Sequence, residues 1–145
     1  MLKTAVIGVG YLGRFHAQKY AGFTDSELIG VVDVDPQQAQ KVADELEVPS
    51  YTDYHEVLDQ VDAVSIVVPT VHHYETAKAF MEKGVHVLLE KPFAATIEEA
   101  EELEQLSRDK NLRLQIGHLE RFNPVFTEFQ QLIDRPKFIE NIRIA

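Results

Sequence analysis

The chain opens on LKTAVIG at 2–8, a β-branched run, followed by a stretch in which apolar residues recur three or four positions apart. Further apolar runs lie at 28–33 (LIGVVD), 63–68 (AVSIVV), 85–89 (VHVLL) and 112–117 (LRLQIG), with a weaker one near Val48 to Tyr51. Runs this short, rich in Val, Ile and Leu and bounded by turn residues, suit strands covered on both faces. The longer amphipathic stretches between them predict helices. Strict alternation of the two predicts βαβ units, and hence an α/β fold built on a doubly wound, mostly parallel sheet.

The spacers carry helix signals. The first helix is expected from Tyr11 to Ala21, and the second begins at Pro36, whose missing N–H is no loss in a first turn. Asp35 is placed to cap it. Asp53 can cap a short helix through Leu58, and Thr96 with Glu99 forms a capping box for a helix reaching Lys110. The acidic stretch from Glu98 to Glu104 reads as a solvated face, with Ile97, Ala100, Leu103 and Leu106 packed inward.

The end of the chain departs from the pattern. Residues 122–133 look helical after Pro124, and KFIENIRIA at 137–145 reads as a strand with Phe138, Ile142 and Ile144 on one face. A lone terminal strand with an apolar face needs a sheet to join. The expected division is therefore a nucleotide-binding domain at 1–121, then a connecting helix and the first strand of a missing second domain at 122–145. The same strand is a candidate edge for homo-oligomer formation.

Composition narrows the function classes. The 145 residues, 45% hydrophobic and 26% charged, suffice for one good core. A net charge of −10 repels nucleic-acid backbones and anionic lipid surfaces, so neither is an expected partner. The absence of cysteine removes disulfides, thiolate catalysis and Cys-ligated zinc. The apolar runs are too short to span a membrane, and MLKTAVIG lacks the layout of a signal peptide, so a cytoplasmic protein is expected.

Within this frame the first strand runs into GVGYLG, placing Gly8, Gly10 and Gly13 in G-x-G-x-x-G spacing before a helix. Gly8 makes the tight turn, Gly10 lets backbone approach a pyrophosphate, and Gly13 permits close helix–strand packing. The helix start, with Tyr11 and Leu12 between the glycines, offers free N–H groups and about +0.5 of a charge to phosphates. Asp33 lies twenty positions beyond Gly13 at the end of the second strand, where a carboxylate can accept from adenosine ribose hydroxyls. That carboxylate repels a 2′-phosphate, so NAD is favoured over NADP. Methyltransferases that use S-adenosylmethionine share this glycine-turn-plus-acid logic, which leaves the cofactor open at this point.

Ligands of open α/β sheets bind beyond the carboxyl ends of the strands. After the fourth strand, Pro69 and Thr70 shape a turn, and His72 or His73 opens a helix. Adjacent histidines at a helix start point apart and no third ligand is evident, so no metal is expected. His16, His55 and His86 read as structural or surface residues. The fifth strand ends in Glu90-Lys91-Pro92. Lys91 could reach a substrate hydroxyl or carbonyl beside a nicotinamide, with Glu90 orienting it and Pro92 stiffening the turn. Spacing alone fits a surface ion pair equally well.

Taken together, GVGYLG, VVDVDP, VVPTVHHYETA, KGVHVLLEKPFA and GHLERFNP resemble the glucose–fructose oxidoreductase/inositol dehydrogenase/MocA (Gfo/Idh/MocA) family of nicotinamide-dependent sugar oxidoreductases. The resemblance implies a Rossmann fold that binds NAD through Gly8, Gly10, Tyr11, Leu12, Gly13, Asp33, Pro69, Thr70, Glu90, Lys91 and Pro92. It also implies Lys91 and His73 as catalytic or substrate-contacting residues, with a sugar or nucleotide sugar as substrate of the full-length enzyme. GHLERFNP is similar to the branch acting on nucleotide sugars, such as UDP-N-acetylglucosamine 3-dehydrogenases; Arg121 there is expected in a structural ion pair. Family members carry a second, substrate-binding domain, so this chain looks like the cofactor half, catalytically incomplete alone. A non-enzymatic NAD-responsive or interaction module is the alternative.

Overall fold

The computed structural model describes residues 1–125 and Glu128. Six strands form one sheet: β1 (Leu2–Ile7), β2 (Ser26–Val32), β3 (Ser50–Tyr51), β4 (Ala63–Ile66), β5 (His86–Leu89) and β6 (Leu114–Ile116). Their order is β3-β2-β1-β4-β5-β6, and every pairing is parallel. The helices are α1 (Tyr11–Gly22), α2 (Pro36–Leu46), α3 (His73–Glu82) and α4 (Ile97–Asp109). This is the doubly wound Rossmann arrangement that the alternating pattern calls for. The strand order reverses between β1 and β4, which opens a crevice at their carboxyl ends.

Period-two alternation in β1 divides the core. Ala5 and Ile7 face one layer with Val64, Ile66, Val87 and Leu89, against Ala77, Phe80 and Met81 of α3 and Leu103 of α4. Val6 faces the other layer with Leu28 and Val31, against Ala17 of α1 and Val42 and Ala43 of α2. Burying each of the larger side chains contributes roughly 1.5–3 kcal/mol. The sheet is thereby held rigid from both faces, and the loops at its carboxyl edge are set on a fixed platform.

The caps form as the spacers foretell. Asp35 Oδ1 accepts from Gln37 N at 2.9 Å with Pro36 at the first helical position, and Thr96 and Glu99 make a reciprocal capping box. The Asp53 cap also forms, but it opens a 3₁₀ turn at Tyr54–Val57 instead of an α-helix. Ile97 departs from expectation, since it is 73% exposed while Leu103 is fully buried. It sits in the first turn of α4, where the capping loop leaves no facing layer. The helix expected after Pro124 falls largely, and the strand expected at 137–145 wholly, outside the described residues, and with them the candidate oligomer edge. Among the described residues no helix is long and apolar enough to cross a membrane.

Candidate functional site

The glycine turn connects β1 to α1 beneath the crevice. Gly8 has φ of +83°, a left-handed conformation that disfavours any side chain, and a Cβ there would also fall 2.7 Å from the Val67 carbonyl oxygen. At Gly13 a Cβ would run into the Gly8 carbonyl, so α1 packs directly on the turn. Gly10 differs. Nothing lies within 4 Å of the place its Cβ would take. Protein packing therefore does not require glycine at position 10, whereas a ligand lying across the turn would. Gly10 caps α1 with no side-chain hydrogen bond, so the helix start is not closed off by a capping side chain.

Asp33, at the end of β2, stands beside this turn. Its Oδ2 accepts from Val9 N at 2.9 Å and its Oδ1 from Asp35 N at 3.0 Å. An ionised carboxylate has about four acceptor positions, so capacity remains for ribose hydroxyls. Asp33 thus ties the glycine turn to the start of α2 while facing the crevice. A cavity of about 370 Å³ is lined there by Gly8, Gly10, Asp33, Pro69 and His72, among others. Thr70 opens the short 3₁₀ turn at Thr70–His72 on its rim.

A second cavity, of about 430 Å³, lies on the other side of the turn. It is lined by Leu12, Glu90, Lys91, His118, Leu119, Glu120 and Arg121. β5 delivers Glu90 and Lys91 to this edge, β6 delivers His118 and Arg121, and α1 contributes Leu12. Lys91 is exposed, whereas Glu90 is only 5% exposed. Tyr11, 82% exposed at the helix start, stacks edge-on with Phe15. The two cavities meet the glycine turn at Gly8 and Gly10 on the one hand and at Leu12 on the other. The ion pair expected for Arg121 does not form among the described residues.

His73 meets a different environment from the substrate-facing one expected of it. Its ring is 2% exposed, with Nδ1 2.7 Å from the Pro92 carbonyl oxygen and Nε2 2.8 Å from that of Val68. Both ring nitrogens face main-chain carbonyl oxygens, and whichever carries the ring hydrogen donates to its carbonyl. The physical reason is local. His73 is the first residue of α3 and turns inward, while His72 ends the preceding 3₁₀ turn and lines the crevice. His73 reads as a brace between the end of β4 and the cis Lys91–Pro92 turn.

His16, expected to be a structural or surface residue, has partners on both sides of its ring. Its Nδ1 lies 2.6 Å from Ser65 Oγ and its Nε2 3.4 Å from Glu90 Oε1. Burial holds the imidazole below its ordinary pKa, and the Glu90 carboxylate opposes that shift. The available signal was spacing: Gly13, His16, Ala17 and Tyr20 follow i, i+3, i+4, i+7, the stripe that α1 turns to the sheet. No group of side chains suited to holding a metal ion occurs among the described residues.

Comparison with known proteins agrees with this geometry. Residues 2–118 match the Gfo/Idh/MocA family, described as an oxidoreductase family with an NAD-binding Rossmann fold. The chain is 43% identical over 145 residues to UDP-N-acetylglucosamine 3-dehydrogenase of Acidithiobacillus ferrooxidans, covering 99% of this chain and 46% of that protein. A solved structure of the Acidithiobacillus ferrooxidans enzyme superposes with a TM-score of 0.84 at 45% identity, over 90% of this chain and 43% of the other. Scyllo-inositol dehydrogenase of Lactobacillus casei, solved with bound NAD(H) and scyllo-inositol, gives 0.84 at 29% identity, over 91% and 40%. The chain thus spans less than half the length of these relatives. The methyltransferase alternative falls with the match. On its matched residues and its fold, the chain belongs to the Gfo/Idh/MocA oxidoreductase family.

Proposed function

We propose that the chain forms the cofactor-binding part of an oxidoreductase that moves hydride between NAD(H) and a hydroxyl carbon of a sugar, and within that class of a nucleotide sugar. The observation that carries this reading is the placement of Lys91 in a cavity that shares Leu12 of the glycine turn. The site fits the dinucleotide: the place of a Gly10 Cβ is open, and Asp33 retains acceptor capacity toward the crevice. NAD supplies the hydride acceptor or donor at its nicotinamide ring. Gly8 to Gly13 and the first turn of α1 hold phosphate, and Asp33 holds ribose and rejects a 2′-phosphate. Lys91 Nζ takes or returns the proton of the reacting hydroxyl, help worth about 10²–10⁴-fold in rate.

The nucleotide-sugar assignment draws on the 43% identity to a UDP-N-acetylglucosamine 3-dehydrogenase. Binding is tested by NADH fluorescence titration of the wild type and of Asp33→Ala. Saturable binding that the substitution weakens is expected; no saturation in either would defeat the cofactor assignment. Turnover is tested with a panel of UDP-sugars and free sugars. Lys91-dependent NADH production with UDP-sugars supports the substrate class, and a preference for free polyols overturns it.

A further inference from the structure

Glu90 is the least explained group near the proposed site. Its buried carboxylate accepts the Lys91 backbone N–H at Oε2, 3.2 Å away, while Oε1 receives no hydrogen bond among the described residues. A buried acceptor of this kind calls for an explanation, because it has given up water. His16 Nε2 stands 3.4 Å from Oε1. On another side lies Gly117, where a Cβ would fall 2.7 Å from Glu90 Cδ and closer still to Oε1. The carboxylate is enclosed between α1 and the end of β6.

Ser65 supplies the missing direction. It is fully buried on β4, with its hydroxyl 2.6 Å from His16 Nδ1. The Ser65 hydroxyl also meets the Tyr20 phenol; if it accepts from Tyr20 and donates to Nδ1, the ring hydrogen resides on Nε2, which faces Glu90. A chain Ser65, His16, Glu90, Lys91 then links β4, the helix that follows the glycine turn, and the turn after β5.

We propose that His16 is a positioning residue for Lys91: its Nε2–H, turned to Glu90 Oε1 across 3.4 Å, holds the buried carboxylate by electrostatic attraction, and the carboxylate in turn fixes the Lys91 backbone at the cavity edge. The functional half of this statement rests on the reading of Lys91 as the group that meets substrate; the structural half does not. The arrangement couples the helix that holds the dinucleotide to the lysine that serves it. Contacts that fix the backbone of a catalytic group decide whether it stays within reach.

The test uses the full chain labelled with ¹⁵N. Long-range ¹⁵N–¹H spectra are expected to show His16 with hydrogen on Nε2 and Nδ1 as acceptor. Lys91 amide exchange should quicken about tenfold in His16→Ala, as when one hydrogen bond to a charged group is lost. His16→Gln, whose amide can place a donor near Nε2, should restore it. A Nδ1–H tautomer in the wild type overturns the proposal. So does unchanged Lys91 exchange in His16→Ala, or a loss that His16→Gln fails to restore. Should His16→Ala not fold, the tautomer and His16→Gln decide the matter. Absence of NADH binding by the wild type would instead strike the cofactor reading and leave the His16–Glu90 link standing.

Discussion

Replacing Gly10 by alanine separates a ligand requirement from a packing requirement. The added Cβ meets no protein atom within 4 Å, and the Gly10 φ of −62° lies outside the left-handed region that favours glycine. As the N-cap of α1 it contributes no side-chain bond, so the exchange should cost about 1 kcal/mol or less in stability. The same methyl occupies the path of a pyrophosphate approaching the first N–H groups of α1. Charge-assisted hydrogen bonds contribute roughly 1.5–3 kcal/mol each, so losing two weakens binding about a hundredfold or more. NADH fluorescence titration reads the affinity, and urea unfolding reads the stability. Gly13→Ala is the contrast: its Cβ would strike the Gly8 carbonyl, and overpacking of that kind costs about 1–3 kcal/mol in the fold itself. A stable Gly10→Ala protein that binds NADH like the wild type would refute the reasoning. So would a stability loss matching that of Gly13→Ala.

Asp33→Ala should weaken NADH while leaving NADPH affinity unchanged or improved, because the repulsion toward a 2′-phosphate goes with the carboxylate; competitive titration with both cofactors checks this, and parallel loss would contradict it. The depressed His16 pKa has a sign in stability. The unfolded chain binds the extra proton first, so stability falls as pH drops from about 6.5 toward the lower folded value. Urea midpoints across that window should show this component in the wild type and not in His16→Gln. Phe80→Ala should cost roughly 3–5 kcal/mol, since the ring is fully buried between α3 and the sheet; a urea-derived loss below about 1 kcal/mol would mean the layer is not packed as described.

The sheet was legible because its strands are buried on both faces, which compels short β-branched runs, and the glycine turn because its backbone demands fixed spacing. Asp33 could be placed by distance from Gly13, although its bond to Asp35 N, which joins the two acids in one turn, could not. Spacing tells which residues reach a strand end, but not which way they turn there. His73 sits where the motif puts it, yet as the first residue of α3 it points into the core, with its ring nitrogens beside the Pro92 and Val68 carbonyls. The contacts of His16 were not legible for the converse reason, since its partners Ser65 and Glu90 are 49 and 74 positions away along the chain. Ile97 followed the helical stripe but lies at a helix start, where it stays 73% exposed.

In the proposed function one dinucleotide spans both cavities across the glycine turn. Titration of the ¹⁵N-labelled chain with NADH, followed by amide chemical shifts, tests it most directly. The amides of Gly10 to Gly13, Asp33 and Lys91 are expected to shift together and saturate with a single dissociation constant. Saturation at Gly10 and Asp33 with Lys91 unmoved, or no saturable shift at all, would contradict it.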